Sequence, residues 1–313
     1  MGSEFCAAAA GIIREVGRVV VGKNSVIVKS LLAMLAGGHI LLEDIPGVGK
    51  TTMAVAFSRA LGLDCARVQF TPDVLPSDIT GYSVYDRESG AMVYQPGAVL
   101  TNIFLADELN RATSRTQSAL LEAMEEGHVT VDGRTYNVPA PFTVIATQNP
   151  AGAKGTQPLP DSQLDRFTVR LSLGYPERDD EIEMLRRKQA GAEATSVLRV
   201  SDRDEFLRMR REVFGVYVRD EVLGYIVDLI AATRSHPLIA QGASPRASVA
   251  VTAMAKATAW VQGRDYVLPR DVDFVFRDCV EHRLIWHDEA LCADDRAGAV
   301  LEMLSDVPSP GIR

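Results

Sequence analysis

The sequence predicts an α/β protein, a parallel sheet between helices, followed by a second domain built of helices. Three observations carry this. Between Ile40 and Leu171, short apolar runs that read as buried strands alternate with helical patterns. The first run, Ile40-Leu41-Leu42, ends in a glycine-punctuated turn, and Met53 to Leu61 then has the composition of a helix. From Tyr175 onward the sequence turns charged and helix-periodic.

Composition sets the outer limits. A chain of 313 residues can bury a large core and a smaller companion. It is 47% hydrophobic, yet no uninterrupted apolar run approaches about 18 residues, so no membrane span is expected. A net charge of −8 argues against nucleic acid as a partner, because that binding rests on Lys and Arg neutralising phosphates. Cys6, Cys65, Cys279 and Cys292 lack metal-ligand spacing, and no secretory signal is visible, so reduced thiols and a cytoplasmic protein are expected. Met1 to Phe5 reads as a cloning scar and is set aside.

In chain order, two helical patterns between Ala7 and Ala36 are joined by Val21 to Ser25, with Asn24 placed to cap the second. Val21 and Gly22 either contact a nucleotide base or simply connect the helices. In the turn after Ile40, Gly47, Gly49 and Lys50 stand where backbone N–H groups converge on one point, as phosphate-cradling loops require. Lys50 falls in the first turn of a helix, where a cation opposes the macrodipole unless an anion lies between them. A triphosphate supplies that anion, and the Thr51 hydroxyl then suits Mg²⁺. Asp44 stands where the general pattern G-x-x-x-x-G-K-[ST] expects glycine. The candidate nucleotide-binding residues are Gly22, Pro46, Gly47, Val48, Gly49, Lys50, Thr51 and Thr52.

Cys65 to Phe70 reads as a second strand, and Thr71 to Gly97, rich in Pro and Gly, as an irregular insertion projecting from the core. The buried run Ile103 to Ala106 ends in Asp107-Glu108, two carboxylates that are costly there unless their charge is used. Asp107 suits the Mg²⁺ shell and Glu108 the polarisation of an attacking water. Thr113 to Glu126 is an amphipathic helix packed on the core, and Asp132-Gly133 between alternating runs is a hairpin signal. Phe142 to Thr147 is the next strand. It leads to Asn149, either a γ-phosphate or water contact or the first half of an Asn-Pro turn. Arg166 has no acidic neighbour but Asp165, so it is a surface arginine or points across a subunit boundary. Gly191 to Thr195 reads as a link, and beyond it Ser244-Pro245 starts a helix reaching Val261. Arg246, in that helix's first turn, is a second cation that makes sense with an anion before it.

Taken together, Leu42 to Thr51, Thr71 to Gly81, Ala106 to Ala112, Ala146 to Pro150, Leu164 to Phe167 and Gly242 to Ser248 resemble the MoxR family of AAA+ ATPases, over essentially the whole chain. The resemblance implies an AAA+ P-loop core over residues 6–174, carrying a helix-2 insert and a pre-sensor-1 hairpin, and a helical lid over 175–313. It makes Lys50 and Thr51 the Walker A residues, Asp107 and Glu108 the Walker B pair, Asn149 sensor 1, Arg166 the arginine finger and Arg246 sensor 2. Acidic residues at the position of Asp44 are familiar in the family, whereas Ala151 to Lys154 differs from its more acidic stretch.

The expectation is a Mg²⁺-dependent ATPase that converts ATP to ADP in a homo-hexameric ring. ATP lies between core and lid, and a neighbour's Arg166 completes the site. Chaperone-like work on client proteins, beside a partner with a von Willebrand factor A domain, follows from the resemblance alone. The rival is a ring-shaped nucleic-acid motor of the helicase kind, against which the acidic charge weighs.

Overall fold

The computed structural model describes residues 2–44, 49–148, 159–189, 196–287 and 292–311. Helices α1 (Gly2–Gly17) and α2 (Asn24–Leu35) precede strand β1 (Ile40–Glu43). There follow α3 (Lys50–Leu61), β2 (Cys65–Gln69), α4 (Pro76–Thr80), β3 (Gly81–Asp86), β4 (Ala91–Pro96), β5 (Ile103–Asp107), α5 (Ser114–Glu126), β6 (His128–Val131), β7 (Arg134–Asn137), β8 (Thr143–Gln148), α6 (Asp161–Leu164) and β9 (Val169–Leu171). The helix α1 takes in residues 2–5, which the sequence reading sets aside.

Five strands form one parallel sheet in the order β2-β5-β8-β1-β9. Parallel neighbours need crossovers, which the intervening helices supply, and both faces of the sheet are thereby covered. Side chains alternate between two apolar cores. Ile40, Leu42, Ile103 and Leu105 face one core with Phe57 and Leu31, while Leu41, Phe104 and Ala106 face the other with Leu120 and Phe167. The register pairs Glu43 with Gln148 and Gln69 with Asp107, so the carboxyl ends of β1, β8, β2 and β5 finish along one edge. Open parallel sheets bind ligands at that edge.

The remainder comprises α7 (Arg178–Gln189), α8 (Arg203–Gly215), α9 (Asp220–Ser235), β10 (Ile239–Gln241), α10 (Pro245–Val261), α11 (Pro269–Val280), β11 (Ile285–Trp286) and α12 (Ala293–Asp306). The sequence predicts a wholly helical second domain, and the structure differs: β10 and β11 pair antiparallel, with Ile239 opposite Trp286. Two or three residues are too short for any period to show in the sequence. Phe206, Val251 and Phe276 of these helices join the same apolar cluster as Ile12, Leu31 and Phe57.

Two hairpins stand out from the sheet. The Thr71–Gly97 insertion is more regular than its composition predicts: α4 leads into the hairpin β3–β4, whose turn is held by Asp86 accepting from the Ser89 hydroxyl at 2.6 Å. Tyr82, Tyr85 and Met92 on it are exposed, which hides the alternation that would otherwise mark a strand. The expected Asp132-Gly133 turn joins β6 to β7, with φ of 50° and 74° at the two residues. Tyr94 and Tyr136 stack at 3.8 Å between ring centroids and tie the hairpins together. Asn24 is not a cap but the first residue of α2, following Lys23. No described helix is long and apolar enough to cross a membrane.

Candidate functional site

The carboxyl edge of the sheet meets the start of α3. Gly49 precedes that helix with φ of 100°, a conformation suited to glycine, and a Cβ there would meet nothing within 4 Å. Among the described residues the helix has no side-chain cap and no acid in its first turn, so its start suits an anion. Lys50 is buried at 7% exposure and donates to the backbone carbonyl of Asp44 at 2.6 Å. Burial lowers its pKa, and the carboxylates of Asp44, Asp107, Glu108 and Glu43 oppose that shift. Lysine and the acid pair therefore share one pocket of charge, as the sequence predicts. An uncapped helix start beside a buried lysine fits a phosphate chain.

The acid pair is braced from both neighbouring strands. The Thr147 hydroxyl donates to Asp107 at 2.7 Å, and Arg67 of β2 approaches the other oxygen at 2.7 Å. Glu108 leaves the strand in the left-handed region, φ 57°. For a residue with a Cβ this conformation costs roughly 1 to 3 kcal/mol and persists only where its surroundings impose it. Those surroundings are Thr147, which accepts from the Glu108 N–H at 2.8 Å, together with Gln69 at 3.0 Å and Arg111 at 2.8 Å on its carboxylate. Arg67 and Gln69, which bond each other at 3.0 Å on one face of β2, hold Asp107 and Glu108 respectively, so both carboxylates are reached from the same side. Among the described residues no group of three or more His, Cys, Asp or Glu could hold a metal ion. The donors present, the Thr51 hydroxyl and the Asp107 carboxylate, fit Mg²⁺, which keeps several waters and shares phosphate oxygens.

Asp44 is reconciled with its neighbours by its contacts. Its carboxylate accepts from the Ser172 hydroxyl at 2.8 Å and from the backbone N–H groups of Leu173 at 2.6 Å and Gly174 at 2.9 Å. The side chain is spent on the segment that leaves β9, so it ties the loop to the passage into α7. Gly22, φ 73°, lies against Asp180 of α7, where an added Cβ would fall 2.0 Å from a carboxylate oxygen. Lys23 donates to Tyr175 O at 2.8 Å.

Arg246 is not at this edge; the structure does not bring this predicted site residue to Lys50 and the acid pair. Its guanidinium pairs with Glu125 of α5, and the other oxygen of that carboxylate pairs with Arg166 at 2.9 Å. Arg166 also donates to Leu121 O at 2.9 Å. This cluster lies at the amino edge of the sheet. His39, just before β1, bonds Met124 O at 3.1 Å and accepts through its carbonyl from Thr168 N at 2.9 Å. The five residue-to-residue steps from His39 to Asp44 span roughly 16 Å of extended chain, so the arginines and Lys50 are at opposite ends of β1. The reason is the docking of α10: Ser244, its N-cap, donates to Asp165 at 3.1 Å, and the buried Arg283 holds that same carboxylate at 3.2 Å and Phe167 O at 2.6 Å. Between them Glu125, Arg166, Arg246 and Arg283 line an open cavity of about 310 Å³.

Pro46, Gly47, Val48 and Asn149 lie outside the described residues, as does the Gly191–Thr195 link. Sequence reasoning missed Arg67, Gln69 and Thr147 as supports of the acid pair, and Glu125 as the partner of both arginines. Only Thr147, adjacent to the polar end of a buried strand, carried a local signal.

The sequence profile of the ATPase family associated with various cellular activities (AAA) matches residues 39–169, and that of the AAA lid domain matches 231–302. Chaperone MoxR1 of Mycobacterium tuberculosis is 40% identical over 288 residues, covering 89% of this chain and 76% of that protein. The uncharacterized protein YeaC of Bacillus subtilis is 44% identical over 299 residues, covering 95% of this chain and 93% of YeaC. A crystal structure of a candidate ATPase from Cytophaga hutchinsonii superposes with a TM-score of 0.90 at 36% identity, covering 99% of this chain and 97% of that one. By the motifs at the carboxyl edge, the sheet order and these relatives, the chain belongs to the MoxR family of AAA+ ATPases, with a nucleotide-binding P-loop core and a C-terminal AAA lid.

Proposed function

We propose that this ATPase works as a head-to-tail homo-hexameric ring in the cytoplasm, in which each ATP is held by one subunit and completed by the arginines of the next. The observation that carries the reading is the separation of Lys50, Asp107 and Glu108 from Arg166 and Arg246 by the length of β1. One subunit cannot bring both sets to one phosphate chain, whereas a heterologous contact that closes into a ring can. The lid, taken from Tyr175 onward after a core of residues 6–174, thus serves a neighbour's site rather than its own.

Lys50 and the backbone from Pro46 to Thr52 cradle the phosphates, with Gly22 near the base. Thr51 and Asp107 would hold Mg²⁺, which would neutralise phosphate charge. Glu108, oriented by Gln69 and Arg111, accepts the proton of the attacking water, and Asn149 orients the γ-phosphate or that water. Arg166 and Arg246 of the adjoining subunit stabilise the charge that develops, an effect worth roughly 10³ to 10⁵ in turnover for an arginine finger. The exposed hairpin β3–β4 and the hairpin β6–β7 pass the resulting motion to client proteins, beside a von Willebrand factor A domain partner. A relative named as a chaperone supports that use.

The Glu108→Gln variant tests the chemical assignment. It is expected to retain stoichiometric ATP while turnover falls by about 10² or more, the usual contribution of a general base. Turnover within twofold of the parent would remove Glu108 from the role.

A further inference from the structure

We infer that Glu125 is a positioning residue through which the nucleotide held by a neighbouring copy reaches the hairpin β6–β7; the inference rests on the head-to-tail reading above. Glu125 spreads one negative charge over two guanidiniums that come from separate parts of the fold, Arg166 from the approach to β9 and Arg246 from α10. Asp165 is engaged by Arg283 and the Ser244 hydroxyl, and Glu122 and Glu126 line a second cavity with Glu125 and Arg166 without an ion pair to either arginine among the described residues. Arg166 also keeps a buried Nε–H without an acceptor among the described residues.

The two arginines and their counter-ion differ in how they are held. Arg166 adjoins the Asp165 network, and Arg246 stands two residues from the Ser244 cap that the same network fixes. Glu125 sits on the last turn of α5 and is 38% exposed. Arg166 also binds Leu121 O, so it places a cation at the carboxyl end of α5, where the helix dipole favours one. That end is continuous with the hairpin. Gly127, φ 66°, closes α5 by donating to Ala123 O at 3.1 Å, β6 starts at the next residue, and Val138 leaving β7 donates to Gly127 O at 2.9 Å. Both strands of the hairpin are therefore rooted on the helix turn that Glu125 and Arg166 fasten.

A phosphate chain presented by a neighbour carries more negative charge than one carboxylate and binds guanidinium bidentately. It draws Arg166 and Arg246 off Glu125, the last turn of α5 loses its cation, and the hairpin root loosens. When the phosphates leave, Glu125 recaptures the pair. The carboxylate thus stands in for the neighbour's phosphate while that phosphate is absent.

Hydrogen exchange of amides 128–138 tests this in the Glu108→Gln background, which holds ATP without cleaving it. Addition of ATP and Mg²⁺ is expected to speed their exchange by roughly tenfold, the loss of one charge-assisted hydrogen bond in the local opening equilibrium. With Glu125→Gln added, exchange should be fast before ATP and unchanged by it. Arg246→Ala, which leaves α5 untouched, should shift the same amides. Amides that ignore ATP in the parent, or that stay protected and responsive after Glu125→Gln, would overturn the inference. An equimolar mixture of Lys50→Ala and Arg166→Ala subunits separates the two levels. Recovered turnover in that mixture with an unaltered hairpin response removes the role of Glu125 alone, whereas a mixture that stays inactive removes the head-to-tail reading and the inference with it.

Discussion

The backbone N–H of Glu108 donates to the Thr147 hydroxyl at 2.8 Å, and that one hydroxyl donates onward to Asp107 at 2.7 Å. A single side chain on β8 thereby fixes the unfavourable backbone of one acid and the rotamer of the other. Thr147→Val keeps the shape and removes both bonds. It is expected to lower kcat by roughly 10- to 100-fold through misplacement of the two carboxylates, with the KM for ATP within about threefold, and Thr147→Ser should restore the rate. Steady-state kinetics decide this, and an unchanged kcat in the valine variant would mean that Gln69 and Arg111 position Glu108 unaided.

Asp44 serves stability rather than phosphate binding. In Asp44→Ala the N–H groups of Leu173 and Gly174 and the Ser172 hydroxyl lose their acceptor, and Leu173 is buried. Hydrogen bonds to a charged group are worth about 1.5 to 3 kcal/mol, and a stranded buried donor adds its own cost, so a loss of about 2 to 4 kcal/mol is expected. Urea unfolding measures it. A loss under about 0.5 kcal/mol, the scale of an ordinary surface substitution, would contradict the role.

The sheet and the charged groups along its carboxyl edge were legible because their signals are local. A buried run ending in Gly49-Lys50, a second ending in Asp107-Glu108 and Asp132-Gly133 between alternating strands each fit within a dozen residues. The arginine cluster was half legible. A cation in the first turn of a helix demands an anion, and Arg246 has one, but nothing near it in the sequence says that the anion is Glu125, 121 residues earlier, rather than a phosphate. Asp44 looked like a misfit for the same reason, since its partners lie about 130 residues downstream. Arg67 and Gln69 sit on the edge strand β2, whose half-exposed pattern gives no sign that its side chains reach the acids of β5.

Acid should weaken the fold through His39. Its Nδ1 accepts from Val144 N at 3.0 Å, so the ring is neutral and its Nε2–H donates to Met124 O. Burial lowers its pKa from 6.5 to about 4. The unfolded chain therefore takes up the proton first. Stability is full above pH 6.5 and declines as pH falls from 6.5 towards 4, by about 1.4 kcal/mol per pH unit at its steepest. His282, lowered in the same direction by burial, adds to the slope. Urea midpoints across that range should fall for the parent, and His39→Asn should lose about one proton's share of the decline. Equal slopes for the two would contradict a neutral buried His39.

The most direct test of the account mixes two inactive subunits. Lys50→Ala lacks the phosphate-binding lysine and Arg246→Ala lacks the lid arginine, and ATP turnover is measured for each alone and for an equimolar mixture. If Arg246 serves the adjoining subunit, about a quarter of the sites in randomly mixed rings combine an intact Lys50 with an intact Arg246, and turnover returns to about that share of the parent. If Arg246 served its own subunit, no site in the mixture would be whole, and the mixture would be as inactive as its parts.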